Sequence, residues 1–329
     1  MHRFSPMDIH VPLSQTEDEY LFGWDPTPGI VSVWANREGQ AIIWRREGDH
    51  IISSRERFRP WLFATSLQDL AQVGSRLVPD CESTGDATTF TYRELHSPTE
   101  SYRYLISATN GRSLERALVD GASRRLGRQI NTINELPDEY YRVGPVEQFL
   151  MQSGKVYFRG LNYSDLHRLQ FDLETTALDP HRGRIFMVAI RDNHGLATII
   201  EAPAPEDETR LISRLCALIR ERDPDVIENH NLFGFDLPFL EQRASVQGIS
   251  LNFGREGGSQ HLERRAETLA VGPEARRRTR YSVVGRELID TLDAVRRHDF
   301  VVRDMPSYSL KDVAKYFGIA APNRVYLDG

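Results

Sequence analysis

The sequence predicts an α/β domain with a mixed sheet, preceded by a smaller β-rich α+β domain. Before about residue 150, short apolar or alternating runs of the strand type dominate, whereas after residue 154 such runs alternate with amphipathic helical patterns. The length of 329 residues agrees with two domains of roughly 150 residues each. We therefore assign residues 1–150 to the first domain and residues 151–329 to the second.

In the first domain, strands are predicted where β-branched and aromatic residues cluster between turn signals. An Asn-Arg-Glu-Gly turn at residues 36–39 predicts a hairpin. Two segments with helical periodicity, residues 66–77 and 113–126, complete a small mixed domain. The predicted strands are residues 30–34, 40–44, 61–64, 88–92 and 102–106.

The second domain begins with three predicted strands, of which the last two are joined by a hairpin at residues 192–195. An amphipathic helix over residues 207–221 follows, and then a short strand before Asn229 and a helix that begins near Asp236. Three strands, a helix, a strand and a helix are the order of a ribonuclease H-like fold, in which helices cover a mixed sheet. The three leading strands are residues 169–173, 185–191 and 197–201.

Two acidic residues stand one residue apart inside the first of these strands. Because side chains at positions i and i+2 of a strand point to the same face, Asp172 and Glu174 are expected to lie side by side. Their mutual repulsion favours a bound cation, and hard carboxylate oxygens suit Mg²⁺ or Mn²⁺. The alternative is a pair of surface acids that begin a turn together with Thr175 and Thr176.

A second polar segment follows about sixty residues later. The short apolar strand at residues 226–227 leads into Asn229, His230 and Asn231, and a helical pattern begins around Asp236. A carboxylate at the start of a helix is stabilised by the helix dipole and can face a cavity at a strand end. Asp236 is therefore expected to lie near Asp172 and Glu174.

These segments resemble the motifs of the DEDD 3′-5′ exonucleases, and specifically of the proofreading domain of family B DNA polymerases. Residues 172–174 are similar to Exo I, D-x-E, and residues 231–236 to Exo II, N-x-x-x-F-D. The run from Gly285 to Arg297 is similar to a G-R-x-x-x-D helix of those polymerases, and residues 307–314 to their S-Y-x-L helix. Residues 59–63 resemble the R-P-Y-F-Y segment of their N-terminal domain.

The resemblance implies a two-metal mechanism with two Mg²⁺ or Mn²⁺ ions. It assigns Asp172 to both ions, Glu174 to the ion that activates water, and Asp236 to the second ion. Asn231 and Phe235 would support the substrate strand or the wall of the site. For the aromatic residues of this segment, burial in the hydrophobic core is the alternative role.

The family completes its site with an Exo III motif, Y-x-x-x-D or H-x-x-x-x-D. Tyr308 and Asp312 have the first spacing, whereas the residue five after His298 is Arg303, which excludes the second. Two interpretations stay open: Asp312 is the fourth ligand with Tyr308 beside it, or the fourth ligand is absent. An absent ligand would indicate a fragment of a longer polymerase-like protein.

Other polar residues near the motifs are expected to have structural roles. Asp290 matches the aspartate of the family's G-R-x-x-x-D helix and is expected to support the site, and Asp293 is expected to be a surface charge. His230 and His181 could contact phosphate or metal, but we expect both to be turn residues.

The net charge of −6 does not indicate a general nucleic-acid-binding protein. Arginines nevertheless concentrate in one part of the second domain, so residues 254–279 are either a solvated loop or a site of phosphate contact. These arginines are Arg264, Arg265, Arg276, Arg277, Arg278, Arg280, Arg286, Arg296 and Arg297.

The absence of a 20-residue apolar run or a signal-peptide core predicts a soluble, cytoplasmic protein without a membrane partner. Cys81 and Cys216 are expected to be incidental thiols. We expect a proofreading-type 3′-5′ exodeoxyribonuclease that acts on single-stranded DNA or DNA 3′ ends in DNA replication or repair. A polymerase module in the same or another chain is a further expected partner. The alternatives are a catalytically incomplete nucleic-acid-binding or scaffold fragment, and a ribonuclease of the same superfamily.

Overall fold

The structure is a computed structural model that describes residues 22–82, 89–95, 101–255, 262–272 and 274–320. The chain forms two compact units, Met1–Arg159 and Gly160–Gly329. The boundary that the sequence predicts near residue 150 therefore falls within the first unit. In the described part of the chain, no helix combines the length and the apolar character needed to cross a membrane.

The first unit begins with an antiparallel sheet of three strands in sequential order. The first two strands are joined by the predicted hairpin, in which Asn36 accepts hydrogen bonds from the backbone of Glu38 and Gln40. The third strand was not predicted, because its side chains are mostly exposed and include serine and arginine rather than an apolar alternation. The strands are β1 (Ile30–Ala35), β2 (Gln40–Glu47) and β3 (His50–Arg57).

A second sheet of this unit has the order β5-β6-β7-β4-β8. The segment predicted as a helix over residues 66–77 is a 3-10 helix, Gln68–Arg76, in which Gly74 adopts a positive φ of 57° that interrupts helical geometry. The elements are β4 (Trp61–Ala64), β5 (Leu77–Pro79), β6 (Phe90–Glu94), β7 (Tyr104–Ala108), α1 (Gly111–Leu126), β8 (Tyr140–Tyr141) and α2 (Pro145–Ser153).

The second unit is built on a five-stranded sheet with the order β11-β10-β9-β12-β15. Strand β10 is antiparallel to β9 and β11, whereas β12 is parallel to β9 and β15. This mixed sheet confirms the predicted ribonuclease H-like class. Its strands are β9 (Arg168–Thr175), β10 (Ile185–Asp192), β11 (Ala197–Glu201), β12 (Val226–Asn229) and β15 (Glu287–Asp290). The helices are α3 (Glu208–Arg222), α4 (Leu237–Val246), α5 (Thr291–Val302) and α6 (Leu310–Tyr316).

Two predictions for the second unit need correction. Much of the proposed loop over residues 254–279 is an antiparallel hairpin of β13 (Glu263–Val271) and β14 (Glu274–Ser282). The segment expected to be a G-R-x-x-x-D helix is instead a turn and strand β15, and the helix begins only after Asp290. In both places the strand was not predicted, because its sequence lacks the alternation of apolar and polar residues that indicates a strand.

One face of the sheet packs against α3 and α4. Strand β9 contributes Leu169, Phe171 and Leu173 to this core, and the predicted apolar face of α3 is buried against them. Cys216 on α3 is a buried thiol and Cys81 an exposed one, and both are free. The buried residues of α3 are Glu208, Leu211, Ile212, Leu215, Cys216, Leu218 and Ile219.

A buried ionic cluster holds the ends of β12 and β15 together. The Arg286 guanidinium donates to Asp223 at 2.7 Å and to the carbonyls of Pro224 and Phe253 at 2.6 and 2.7 Å. Arg255 donates to Asp223 and to Asp225 at 2.9 and 3.0 Å. Because Arg286 is 3% exposed, its charge depends on these partners rather than on water.

Replacing Arg286 with alanine is expected to lower the free energy of unfolding by about 3 kcal/mol or more. The Asp223 carboxylate and the carbonyls of Pro224 and Phe253 would lose their hydrogen-bond donor. Urea unfolding followed by circular dichroism measures this quantity. Arg297→Ala removes an exposed arginine of α5 and serves as the control, with an expected change below about 0.5 kcal/mol. Equal small changes in both variants would contradict a stabilising role for the cluster.

Candidate active site

Strand β9 presents its two acidic residues on one face, as the sequence predicts. Phe171 and Leu173 point into the core, with 3% and 5% of their surface exposed, whereas Asp172 and Glu174 are exposed on the opposite face. The period of two along the strand therefore separates the apolar core from a carboxylate face. Both acids therefore lie within the strand, and their role as metal ligands stays a prediction.

Asn229 lies where the pairing of β9 with β12 ends, beside these carboxylates. The parallel ladder between β9 and β12 pairs only Arg168 with Val226 and Leu169 with Ile227. Beyond it, the Asn229 side chain accepts a hydrogen bond from the backbone N–H of Phe171 at 3.1 Å and donates one to the Phe171 carbonyl. The amide thus satisfies the backbone of β9 where the neighbouring strand turns away.

The chain after β12 turns sharply into α4. Asn231 adopts a left-handed conformation with φ 69°, and the following residues form a single wide helical turn, Leu232–Asp236. The Asp290 carboxylate accepts hydrogen bonds from the backbone N–H groups of Asn231 and Phe233 at 2.9 and 3.0 Å, and from Leu292 at 3.0 Å. Asp290 therefore fixes this turn and caps α5, which confirms its expected structural role.

The turn places Asp236 in the same cleft as Asp172. The cleft has a volume of about 740 Å³, with acidic and amide groups along part of its wall and small or apolar side chains on β10 and β11. Its lining residues are Gln170, Phe171, Asp172, Ala189, Ile190, Arg191, Ala197, Thr198, Ile199, Glu228, Asn229, His230, Asp236, Thr291 and Leu310.

The two cleft aspartates are electrostatically coupled. The pKa of Asp236 is raised to about 7, first by burial and then by repulsion from Asp172, while a hydrogen bond from Asn229 opposes the shift. Part of the Asp172 side chain stays open to solvent, but the loss of water around its carboxylate also raises its pKa. Both shifts disfavour the charged forms, so a cation in the cleft would stabilise them.

Three other predicted site residues lie outside the lining of the cleft. Glu174 is on the carboxylate face of β9, one pleat beyond Asp172. The Asn231 side chain lies against Gly234, where a Cβ would approach its Oδ1 to 2.2 Å. Phe235 is partly buried and packs against Phe239 with ring centroids 5.5 Å apart. The functional roles expected of these three residues stay predictions.

The Exo III-like pair makes other contacts. The Asp312 carboxylate accepts hydrogen bonds from the hydroxyls of Ser307 and Ser309 at the start of α6, and these bonds lower its pKa. The Tyr308 hydroxyl donates to Asp299 at 2.7 Å. Neither Asp312 nor Tyr308 lines the cleft, so their assignment as ligand and companion stays a prediction based on spacing.

The remaining candidates have separate positions. His230 lines the cleft and bridges Thr291 Oγ1 at 3.2 Å and the Tyr308 carbonyl at 2.7 Å, whereas His181 lies in an exposed turn. Asp293, expected to be a helix-surface charge, lies in the first turn of α5, where its side chain is 14% exposed and pairs with Arg278 of the hairpin. The pair connects α5 to β14.

The structure also reveals polar groups that the sequence interpretation missed. Glu228 is 3% exposed and accepts hydrogen bonds from Arg168 and Gln170, both at 2.8 Å. A charged residue inside the apolar strand Val-Ile-Glu-Asn was the available signal, because a buried carboxylate needs partners. Asn229 had no comparable signal, since its role depends on where the pairing of β9 and β12 stops.

The donor chemistry of the cleft fits a hard divalent cation. Asp172 and Asp236 supply carboxylate oxygens whose mutual repulsion a cation would relieve. Across the described ranges, no three His, Cys, Asp or Glu side chains come together as a metal-binding group. The chain therefore brings two of its three predicted ligands into the cleft, with Glu174 next along the same strand face.

Asp236→Asn is expected to stabilise the metal-free protein at neutral pH. The pKa of Asp236 is about 7 in the folded state and 3.8 in the unfolded chain. The folded state therefore binds the Asp236 proton more tightly than the unfolded state does. As a result, the free energy of unfolding decreases as the pH rises from about 4 to 7. The asparagine variant lacks this loss, and its advantage above pH 7 should be on the order of 2–4 kcal/mol.

Thermal unfolding in EDTA across this pH range measures the stability of the variant relative to the wild type. Added Mn²⁺ should narrow the stability difference between the two proteins, because it stabilises the wild type. Glu201→Gln, at an exposed carboxylate of β11, is the control and should follow the wild-type profile. A constant difference between Asp236→Asn and the wild type at every pH would contradict the coupling.

Comparison with known proteins places this geometry in context. Residues 165–313 match the model of the DNA polymerase family B exonuclease domain. A DNA polymerase of Pyrococcus glycovorans is 30% identical over 183 residues, which are 53% of this chain and 22% of that protein. DNA polymerase 2 of Aeropyrum pernix is 30% identical over 159 residues, 47% of this chain and 17% of that protein. The chain thus spans less than a quarter of the length of these relatives.

The solved structure of the family B DNA polymerase from Pyrobaculum calidifontis superimposes on 89% of this chain and 39% of its own, with a TM-score of 0.60 and 20% sequence identity. This likeness concerns the fold and extends beyond the exonuclease-like residues into the first unit. The chain therefore resembles the N-terminal plus 3′-5′ exonuclease region of family B DNA polymerases.

Proposed function

We propose that this chain is a metal-dependent 3′-5′ exonuclease that hydrolyses the ends of single-stranded DNA. The observation that supports this most is the convergence of Asp172 and Asp236, from two separate motifs, in one cleft. The repulsion from Asp172 that raises the pKa of Asp236 supports a shared role for the two carboxylates. The family match over residues 165–313 supports the reaction class.

The chain's own residues would perform distinct tasks at the scissile phosphate. Asp172 and Asp236, with Glu174 from the same face of β9, would hold two Mg²⁺ or Mn²⁺ ions. Bound ions of this kind lower the pKa of water and stabilise a leaving oxygen. Asn229 keeps Asp236 oriented by hydrogen bonding, and it holds the β9 backbone at Phe171.

The rest of the cleft suits a nucleotide. Ala189, Ala197 and Ile199 give an apolar surface for a base or sugar. His230 and Thr291 also line the cleft and are hydrogen-bonded to each other. A volume of about 740 Å³ is large enough for a nucleotide with its phosphate. We favour a frayed or single-stranded 3′ end as the substrate.

The arginine-rich hairpin is a weaker candidate for phosphate contact than its composition indicates. Arg278 and Arg280 both pair with Glu267 across the hairpin, at 2.6 and 3.6 Å, and Arg264 pairs with Glu241 at 3.3 Å. These ion pairs reduce the local positive charge. We assign the hairpin a secondary part in guiding the strand, together with the first unit as a family B N-terminal-like domain.

A second candidate function is a catalytically incomplete DNA-binding fragment that works beside a polymerase module. The observation that favours it is the placement of Asp312, whose carboxylate is engaged by Ser307 and Ser309 rather than directed to the cleft. Without a fourth carboxylate, the cleft would bind metal and DNA and hydrolyse slowly. The two functions differ in turnover and agree in metal and DNA binding.

The two candidates are separated by incubating 5′-labelled single-stranded DNA with the chain and Mn²⁺. We expect a shortening ladder whose rate falls by roughly 100-fold or more in Asp172→Ala, because the metals lose a shared ligand. Asp312→Ala should keep most of the activity, since its carboxylate is held by the hydroxyls of Ser307 and Ser309 and lies outside the lining of the cleft. Thermal unfolding of each variant serves as the folding control.

A ladder lost in both variants would make Asp312 the fourth ligand and would contradict its position outside the cleft. No ladder with the wild type, together with metal-dependent DNA binding, would support the incomplete fragment instead. A ladder that persists in Asp172→Ala would overturn the proposed site altogether.

A further inference from the structure

Tyr163 is an exposed aromatic residue held in a fixed position. It lies in a short 3-10 turn, Tyr163–Asp165, that precedes β9, and 61% of its surface is accessible to solvent. An exposed aromatic side chain usually moves freely, but here the ring lies against the guanidinium of Arg168, with 3.8 Å between the guanidinium carbon and the ring centroid.

Two hydrogen bonds fix the other end of the ring. The Tyr163 hydroxyl accepts a hydrogen bond from Arg168 at 2.6 Å and donates one to Glu228 at 3.2 Å. Glu228 is itself held by Arg168 and Gln170. Burial and the Glu228 charge raise the pKa of the Tyr163 hydroxyl, so it remains a donor near neutral pH.

This group of residues is continuous with the proposed active site. Arg168, Gln170 and Asp172 are alternate residues of β9 and share its carboxylate face. Gln170 and Glu228 line the cleft together with Asp172 and Asp236. Four residues of strand separate Arg168 from Asp172 by about 13 Å, a distance that a few nucleotides of single-stranded DNA span.

We propose that the open face of Tyr163 is a stacking site for a nucleobase of the single-stranded DNA whose 3′ end occupies the cleft. The proposal rests on the exonuclease function proposed above and adds a binding site a few nucleotides upstream of the reacting phosphate. A ring that is already immobile loses little conformational entropy on stacking, and any base can stack on it. The site should therefore bind DNA without base preference.

The neighbouring groups suit this role. Arg168 covers one face of the ring and gives it a cationic backing, while Glu228 and Gln170 hold Arg168 in place. Tyr163 could instead serve only to shield the buried Glu228 carboxylate from water. That role would not require an aromatic ring, because Arg168 and Gln170 already donate hydrogen bonds to Glu228 Oε1. The Tyr163 ring adds a flat exposed surface beside the cleft.

The test uses dT12 oligonucleotides that carry one 2-aminopurine at successive positions from the 3′ end, in Ca²⁺ to suppress hydrolysis. The fluorescence of 2-aminopurine falls when the base stacks. We expect quenching that peaks a few nucleotides from the 3′ end in the wild type and in Tyr163→Phe, and that is lost in Tyr163→Ala. Affinity should fall roughly 5- to 100-fold in Tyr163→Ala and by less in Tyr163→Phe, which keeps the ring but lacks the hydroxyl that fixes it.

Trp24→Ala is the matched control, because Trp24 is 74% exposed and also rests on an arginine, Arg159, at 4.8 Å. Equal losses of affinity in Trp24→Ala and Tyr163→Ala, or unchanged quenching in Tyr163→Ala, would overturn the stacking site. The nuclease assay with Asp172→Ala is independent of this result. If quenching depends on Tyr163 but the nuclease assay shows no hydrolysis, the stacking site is supported and only the proposed catalysis is contradicted.

Discussion

The structure of the cleft depends on the repulsion between two carboxylates, Asp172 and Asp236. Each comes from a different segment. Burial raises the pKa of both carboxylates, and repulsion from Asp172 raises that of Asp236 further. A fold retains such an arrangement only when the surroundings fix both groups, and a site that binds a cation is the common reason for it. The rest of the second unit supplies that fixation.

Three kinds of contact hold the carboxylates in place. The hydrophobic side of β9 anchors Asp172 through Phe171 and Leu173. Asn229 hydrogen-bonds to the β9 backbone beyond the point where the pairing of β9 with β12 ends, and it also hydrogen-bonds to Asp236. Asp290 secures the turn that follows β12 by accepting three backbone hydrogen bonds. Asn229 and Asp290 thereby fix the backbone around the cleft, while the repulsion between Asp172 and Asp236 remains.

Features that depend on local periodicity were predictable from the sequence. The side-by-side placement of Asp172 and Glu174 follows from the strand period of two, and the strand and helix order of the second unit follows from its apolar pattern. The hairpin of β13 and β14 and strand β3 were missed, because their exposed, charged residues lack that pattern. The bridging role of Asn229 arises from tertiary pairing, which no local pattern records.

The Exo III-like spacing shows the limit of motif matching. Tyr308 and Asp312 have the right separation, but Ser307 and Ser309 lie within hydrogen-bonding reach of Asp312 in the same turn. A serine at the start of a helix forms such a cap whatever role the aspartate has elsewhere. Spacing alone therefore could not distinguish a metal ligand from an aspartate whose carboxylate is held by neighbouring serines.

The most direct test of the cleft as a cation site is titration with Mn²⁺ followed by electron paramagnetic resonance, in which bound Mn²⁺ loses the signal of the free ion. We expect saturable binding in the wild type, at least tenfold weaker binding in Asp172→Ala and Asp236→Ala, and wild-type binding in Asp312→Ala. Equal Mn²⁺ affinity in the wild type and Asp172→Ala would contradict a cation site in the cleft.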